Sequence, residues 1–505
     1  MKYLALALLI LISFLACYQA LYQPEKRYHW PLAQGVDEVG LRPVDCWFGD
    51  NDGLPPVECY DMRVPEQHSA PGSRYITFPV MVFRSQVNTE KRSPLLYLGA
   101  GGPGAPMYLD DYYSIKDLVG GMAKASLNQG RDLIVIDPRG SGKARPMLTC
   151  GAFIEGARRR FRLNLTLEQT RDSVAADYQA CIAEFLDQNI DHTAYNSFAV
   201  ARDIEALRRA AGIERWVLFG VSYAANYALT IANEYPDTVE SMVLDSAFVS
   251  RVGLHESYIE QMTRPYRLLF NYCKYDPDCR QPVNNVKARF WAIYEKLEQN
   301  PISIEIEHAG DQVPILIDGN RFIEAMWQGI YGTDIYRDLP YIIEELENGQ
   351  YISLEPYLWL YVDLMLSPTW GDVSGMAHYC YEEKPLIDFA QIRAQFDQLP
   401  AGYIRDSAPV FLDWPDLCEQ MQIFDTAPNL IPSRKLSTPT LILHGKLDSI
   451  TPLSRVRKIL KFFRQAHLLT FDLGHSILTS SDCALNSMAN FVDDASISRR
   501  RLECG

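Results

Sequence analysis

Five short apolar runs, "ITFPVMVF", "LLYLGAGG", "LIVIDPRG", "WVLFGVS" and "SMVLDSA", succeed one another through the first half of the chain. Most end in turn-forming residues, and each has the length of a buried strand. Between the last three lie helical patterns, notably Ala199 to Ala211 and Tyr223 to Glu234. Strand and helix in alternation predict an α/β fold built on a mostly parallel sheet. Near Ala247 the rhythm breaks. From 248 to 435 the pattern is largely helical: Val286, Phe290, Ile293 and Leu297 mark one amphipathic face, and similar faces recur around 321–347. "TPTLILHG" (438–445) and "HLLTFDLG" (467–474) then restore strands. The expected organisation is a core over 21–247, a helical cap insertion over 248–435, and the resumed core over 436–505. A chain of 505 residues suits this division, because single cores stop growing beyond about 250–300 residues.

The first twenty residues, "MKYLALALLILISFLACYQA", carry one Lys and then an apolar run from Tyr3 to Ala16. The run is short for a membrane span and suits a cleaved export signal over 1–20. Phe14-Leu-Ala-Cys17 is an imperfect lipobox, which makes Cys17 a candidate lipid anchor. The other ten cysteines are Cys46, Cys59, Cys150, Cys181, Cys273, Cys279, Cys380, Cys418, Cys483 and Cys504. An even number in an exported chain suggests disulfides, and the spacings favour pairing of neighbours: 46–59, 150–181, 273–279, 380–418 and 483–504. The chain is expected in the periplasm, anchored to the envelope, or secreted. No C-x-x-C pair or H-E-x-x-H occurs, so zinc is a poor reading. A net charge of −15 argues against non-specific nucleic-acid binding.

Gly220-Val-Ser-Tyr-Ala224 falls between a predicted strand and a predicted helix, where a nucleophile elbow belongs. Such a turn exposes the serine Oγ, and the helix N-terminus favours developing negative charge. The pattern G-x-S-x-G ends here on Ala224, small enough for the turn but a departure from it. A serine nucleophile needs a base and a carboxylate to orient that base, in the order Ser, acid, His, each just past a strand end. Asp448 follows "TLILHGKL" and His475 follows "LLTFDLG". Of the nine His, only His467 and His475 lie beyond Asp448, and His467 falls at the start of its strand. Asp245, ending "SMVLD", and Asp472, read as part of the last strand, compete for the acid position. Asp448 is preferred because "GKLDSITP" gives a loop long enough to turn its carboxylate to His475.

Gly99, Gly101 and Gly104 also fit G-x-G-x-x-G, the spacing of a dinucleotide turn. Pro103 removes an amide donor from that loop, and the next strand ends at Asp137, 33 residues after Gly104. The acidic residue of a dinucleotide site is expected about 20 residues on. An oxyanion hole fits better, formed by the N–H of Gly101 or Gly102 with that of Tyr223. This chemistry calls for no cofactor and no metal.

"GGPG", "DPRGSG" (137–142), "GVSYA", "GKLDSITP" and "GHS" together resemble the α/β-hydrolase serine peptidases that include proline iminopeptidases and tripeptidyl aminopeptidases. "VECYDMRVPEQH", "YNSFAVARDIEALRRAAG" and the terminal pair of cysteines are similar to the secreted tripeptidyl-aminopeptidase branch. The resemblance implies an exopeptidase acting on peptides with a free N-terminus, whose ammonium group is met by carboxylates from the cap. It points to Glu382 and Glu383 in "CYEEKP", and it leaves Asp137 and Arg139 to fix their loop. Two other readings stand beside it: a carboxylesterase or lipase on the same triad, and an inactive hydrolase-fold protein that binds partners.

Overall fold

The computed structural model describes residues 39–49, 53–70, 72–87, 92–99, 101–250, 252, 254–280, 284–399, 414–423 and 435–502. The export signal and Cys17 lie outside them, as does Cys504. The apolar runs form one nine-stranded sheet in the order β1-β2-β3-β5-β4-β6-β7-β10-β11. Its strands are β1 (Gly40–Val44), β2 (Val57–Pro65), β3 (Tyr75–Phe83), β4 (Leu95–Tyr97), β5 (Leu133–Ile136), β6 (Trp216–Val221), β7 (Val239–Asp245), β10 (Thr440–Gly445) and β11 (Ala466–Phe471). From β5 through β4, β6, β7 and β10 to β11 every pairing is parallel, while β1, β2 and β3 add an antiparallel flank. Strands β4, β5, β6 and β10 are buried at every residue, which is why they read as continuous apolar runs and not as alternating ones.

Helices α1 (Ser197–Ala210) and α2 (Ala224–Glu234) flank the elbow strand. On one face of the sheet Ile204, Leu207, Trp216, Leu229 and Ile442 share a core; on the other, Ile115, Phe219, Leu443 and Phe491 share a second.

Between β7 and β10 stand α3 (Leu254–Tyr275), α4 (Val286–Gln299), α5 (Gly319–Gly329), α6 (Asp334–Glu347), α7 (Glu355–Leu366), α8 (Asp372–Glu382) and α9 (Trp414–Gln420). Val286, Phe290, Ile293 and Leu297 are the buried residues of α4, and they join Phe322, Leu339 and Leu358 in a core of this region's own. Two features depart from the sequence reading. The region also holds a hairpin, β8 (Ile302–His308) paired with β9 (Asp311–Ile317), whose turn residues Ala309 and Gly310 both have positive φ. And Ala157 and Phe161, well before residue 248, contribute to the same core.

Four disulfides join Cys46 to Cys59, Cys150 to Cys181, Cys273 to Cys279, and Cys380 to Cys418. Among the described residues no helix is long and apolar enough to cross a membrane.

Candidate active site

Parallel strands deliver successive loops to one edge of a sheet, so the loops after β4, β6, β7, β10 and β11 are neighbours there. The register is close: Val221 pairs with Asp245, Leu443 also pairs with Asp245, and Gly445 pairs with Phe471. Ser222, Asp245, Asp448 and His475 therefore leave the sheet at a common edge.

Ser222 is the first residue past β6 and has φ +52°, left-handed backbone that a non-glycine residue adopts only when its surroundings hold it. Those surroundings are visible. Its N–H donates to the Asp245 carbonyl (2.9 Å), and its own carbonyl accepts from the amides of Phe248 (3.0 Å) and Ala225 (3.2 Å). Tyr223 then takes helical φ/ψ and α2 begins at Ala224. Ser222 Oγ makes no hydrogen bond among the described residues; nucleophile–base bonds are commonly long in free enzymes and tighten with substrate.

The glycine loop lies against this turn. A Cβ on Gly101, which has φ +99°, would stand 2.4 Å from Ser222 Cβ and 3.0 Å from its Oγ, so only glycine lets the loop backbone approach the serine so closely. Gly102 faces the Trp370 ring. Tyr223 is buried against Phe248.

Asp448 is fully buried. One of its oxygens accepts from the amides of Ile450 (2.9 Å) and Thr451 (2.8 Å), the other from Thr451 Oγ1 (2.6 Å) and His475 Nδ1 (2.9 Å). Burial pushes the carboxyl up, but the His475 charge and these hydrogen bonds outweigh it and hold the carboxyl down at about 2. The same pairing raises His475 above the ordinary imidazole value against the opposing effect of burial. His444, buried in β10, has its Nε2 4.0 Å from the Asp448 carboxylate, and burial lowers its pKa.

The two competing acids have other work. Asp472 lies just past β11, not in it, and meets Lys446 at the surface (2.9 Å). Asp245 is buried and accepts from the amides of Ile477 and Leu478, both at 3.0 Å, and from Ser246 Oγ at 2.9 Å. Ser246 Oγ in turn accepts from the Ser476 amide (2.9 Å). One residue thus holds the nucleophile turn by its carbonyl and the histidine loop by its carboxylate. Burial raises its pKa, with those donors opposing.

The helical region between β7 and β10 reaches the same loops. The Arg264 guanidinium donates to the carbonyls of Asp448 and Lys446, Ser449 Oγ donates to the Ile330 carbonyl (3.1 Å), and the His475 amide donates to the Tyr331 carbonyl (2.9 Å). The Tyr331 ring stands edge-on to the imidazole, 5.5 Å between centroids, and is 41% exposed.

Glu382 and Glu383, at the end of α8, have internal partners. Glu382 is fully buried and accepts from the Ser197 amide (2.7 Å), Ser197 Oγ (3.1 Å) and the Tyr223 hydroxyl (2.7 Å). Glu383 accepts from Ser250 Oγ (2.9 Å), and burial raises it to about 7 despite the nearby Arg455. Asp137 takes the amides of Met107 (2.7 Å) and Lys143 (2.8 Å), and Arg139 is paired with Asp203 through two nitrogens (2.7 and 2.6 Å). Both are wholly engaged in holding their loop. Among the described residues no group of three or more His, Cys, Asp or Glu is disposed to hold a metal ion.

Residues 94–268 match the alpha/beta hydrolase fold family, and residues 409–504 match the TAP-like protein family. The chain is similar to serine protease Hip1 of Mycobacterium tuberculosis, 27% identical over 176 residues, which cover 33% of each chain. It is similar to tripeptidyl aminopeptidase of Streptomyces coelicolor, 25% identical over 215 residues, covering 41% of this chain and 38% of that one. The matched stretch thus spans between a third and two fifths of these relatives. The solved proline iminopeptidase of Mycobacterium smegmatis aligns over 86% of this chain and 98% of its own, at 13% identity and a TM-score of 0.38.

Proposed function

For this chain, an α/β hydrolase with a TAP-like C-terminal segment, we propose the activity of a serine exopeptidase that cleaves short peptides from a free N-terminus. The observation that carries the proposal is the 2.9 Å bond from His475 Nδ1 to a buried, ionised Asp448, next to a serine held at φ +52°. With Nδ1 committed to Asp448, the proton-accepting nitrogen of neutral His475 is Nε2. His475 takes the Ser222 proton as Oγ attacks the scissile carbonyl, and the imidazolium that forms is stabilised by Asp448. The N–H groups of Gly101 or Gly102 and of Tyr223 receive the oxyanion. His475 then protonates the leaving amine, and an acyl-enzyme on Ser222 remains. Water, deprotonated by the same imidazole, releases the acyl product and restores the serine.

In this reading Glu382 is a positioning residue: with the Tyr223 hydroxyl and the start of α1 as its partners, it fixes the residue that supplies one oxyanion donor. Its carboxylate is spent there, so the role that the resemblance gives it with the substrate ammonium is not adopted. The TAP-like match and the tripeptidyl aminopeptidase relative favour a peptidase over an esterase. The disulfides support export to an oxidising compartment.

The test compares wild type with Ser222→Ala on a free tripeptidyl chromogenic amide, its N-acetylated twin and a short acyl ester. Cleavage of the free amide, lost on acetylation and in the variant, is expected. Turnover of the ester alone would replace the peptidase by an esterase on the same triad, and activity surviving in Ser222→Ala would remove the mechanism.

A further inference from the structure

Tyr331, just past α5, has an exposed ring that stands edge-on to the His475 imidazole, 5.5 Å between centroids. Single exposed apolar side chains are ordinary on a protein surface. This one differs in what it touches and in how firmly it is placed. Its carbonyl accepts from the His475 amide (2.9 Å). A Cβ on Gly474 would stand 2.8 Å from that carbonyl and 3.2 Å from the Gly332 carbonyl, so the chain after α5 is pressed against the histidine loop. Four residues back, near the end of α5, the Trp327 indole N–H donates to the Tyr331 hydroxyl. Backbone and hydroxyl are both tied, and the ring is left facing outward beside the candidate base.

The chemistry of acyl transfer decides which part of a substrate would meet that ring. The imidazole hands its proton to the leaving amine, so the residue that carries this amine lies against His475, while the acyl part stays on Ser222 beside the oxyanion donors. The two sides have different aromatic neighbours. A Cβ on Gly102 would stand 3.2 Å from the Trp370 ring, which puts Trp370 against the glycine loop, on the oxyanion side. Tyr331 is on the imidazole side.

We propose that Tyr331 is the specificity-determining contact for the leaving residue, and that its ring favours an apolar, above all an aromatic, residue immediately after the scissile bond. This rests on the exopeptidase reading above. An apolar side chain laid on the exposed ring takes surface of both out of water. A leaving glycine has nothing to lay there, and an acidic side chain loses hydration against an apolar face. The contact exists only while the leaving amine is present, so it bears on acylation of Ser222 and not on hydrolysis of the acyl-enzyme. A merely structural role would act otherwise: His475 serves both steps, and loosening its loop would slow both.

The experiment measures kcat/KM for peptides that share one acyl part and differ in the residue released after it: glycine, leucine, phenylalanine or aspartate. Wild type, Tyr331→Phe, Tyr331→Ala and Trp370→Ala are compared, and kcat on the p-nitrophenyl ester of the same acyl part follows deacylation. Rates are expressed per active site, counted by labelling with a fluorophosphonate. Wild type should favour phenylalanine over glycine by about 10-fold, the worth of one partly covered aromatic contact. Tyr331→Phe should keep that ratio. Tyr331→Ala, which retains the carbonyl that holds His475, should bring it close to one, with kcat on the ester moving far less than the ratio. Trp370→Ala should lower all four peptides by a common factor. Several results would overturn the inference while leaving the exopeptidase reading intact: a wild type with no preference among leaving residues, a ratio that survives in Tyr331→Ala, a ratio lost in Trp370→Ala instead, or peptides and ester slowed in step by Tyr331→Ala. Failure of the exopeptidase reading has its own signature, esters turned over with every peptide untouched. The contact is then read on the ethyl and benzyl esters of that acyl part: a benzyl preference lost in Tyr331→Ala supports it, and one that persists overturns it.

Discussion

The amide of His475 donates to the carbonyl of Tyr331 at 2.9 Å, so the candidate base is suspended from the cap as well as from the sheet. Ser449 and Arg264 make parallel links from the acid loop to the same region. The helical region between β7 and β10 is thus bonded to both candidate loops and cannot shift without disturbing them.

Arg264 carries one of these links. Arg264→Met keeps the apolar stem but leaves the Asp448 and Lys446 carbonyls without their donor. Stability should fall by about 1–3 kcal/mol, and kcat should fall with little change in KM, because the acid loop loosens while the substrate contacts stay. Urea unfolding and steady-state kinetics on one preparation check both; an unchanged kcat would show that the loop needs no support from the cap.

Asp448 and Asp245 are both buried carboxylates at the same sheet edge, and their variants should differ in kind. Asp448→Asn leaves the fold nearly intact but presents an amide to His475, favouring the wrong tautomer, with a loss in kcat of about 10⁴-fold. Asp245→Asn puts an NH₂ group against the amides of Ile477 or Leu478, so the main loss is stability, about 1–3 kcal/mol. If Asp245→Asn proved the catalytically dead but stable variant, the acid would have been misassigned.

Gly101→Ala places a methyl group 2.4 Å from Ser222 Cβ and demands φ +99° of an alanine. The loop must retreat from the elbow, taking its N–H groups out of reach of the oxyanion. The expected fall in kcat is about 10²–10³-fold, the value of a lost oxyanion donor, with labelling of Ser222 slowed in proportion. Wild-type rates in this variant would place the oxyanion donors elsewhere.

The pH dependence has a definite sign. Asp448, held down at about 2, is ionised throughout the working range. His475 acts as a base only when neutral, and its partner raises its pKa. The acid limb of kcat/KM should therefore lie above the free imidazole value of about 6.5. For stability the same shift works the other way: the raised His475 stabilises the fold below its unfolded pKa, and that contribution is lost as pH rises through the folded value. The Asp448 contribution is present above the unfolded carboxyl value and is lost as pH falls towards 2. In Asp448→Asn the acid limb should move down, since the burial that lowers His475 is then opposed by the Asp245 charge alone. A wild-type limb below the free imidazole value would contradict the pairing.

The sheet and the site were unequally legible. β4, β5, β6 and β10 announce themselves because strands covered on both faces are apolar throughout. β8 was hidden by its helical neighbours, although "ISIEIEH" alternates, with Ile304 and Ile306 buried between exposed Ser303, Glu305 and Glu307. β2 mixes Glu58, Asp61 and Arg63 into an edge-side strand and gives no run. Ser222, Asp448 and His475 stand out in the sequence because each follows a strand in a fixed order. The anchoring role of Asp245 does not, since its partners Ile477 and Leu478 lie more than two hundred residues away and are backbone groups. Arg264 and Tyr331 are ordinary members of amphipathic segments until packing shows what each touches. Glu382 and Glu383 look like a solvated pair, yet both are buried with partners on α1, the turn before α2 and the loop after β7.

In the proposed mechanism Ser222 is a nucleophile activated by the Asp448–His475 pair. The most direct measurement is the rate and site of covalent labelling by a fluorophosphonate, read by peptide mass spectrometry in wild type, Ser222→Ala and His475→Ala. One adduct per chain is expected on Ser222, absent in Ser222→Ala and slowed by orders of magnitude in His475→Ala. An adduct on another serine, or undiminished labelling of Ser222 without His475, would contradict it.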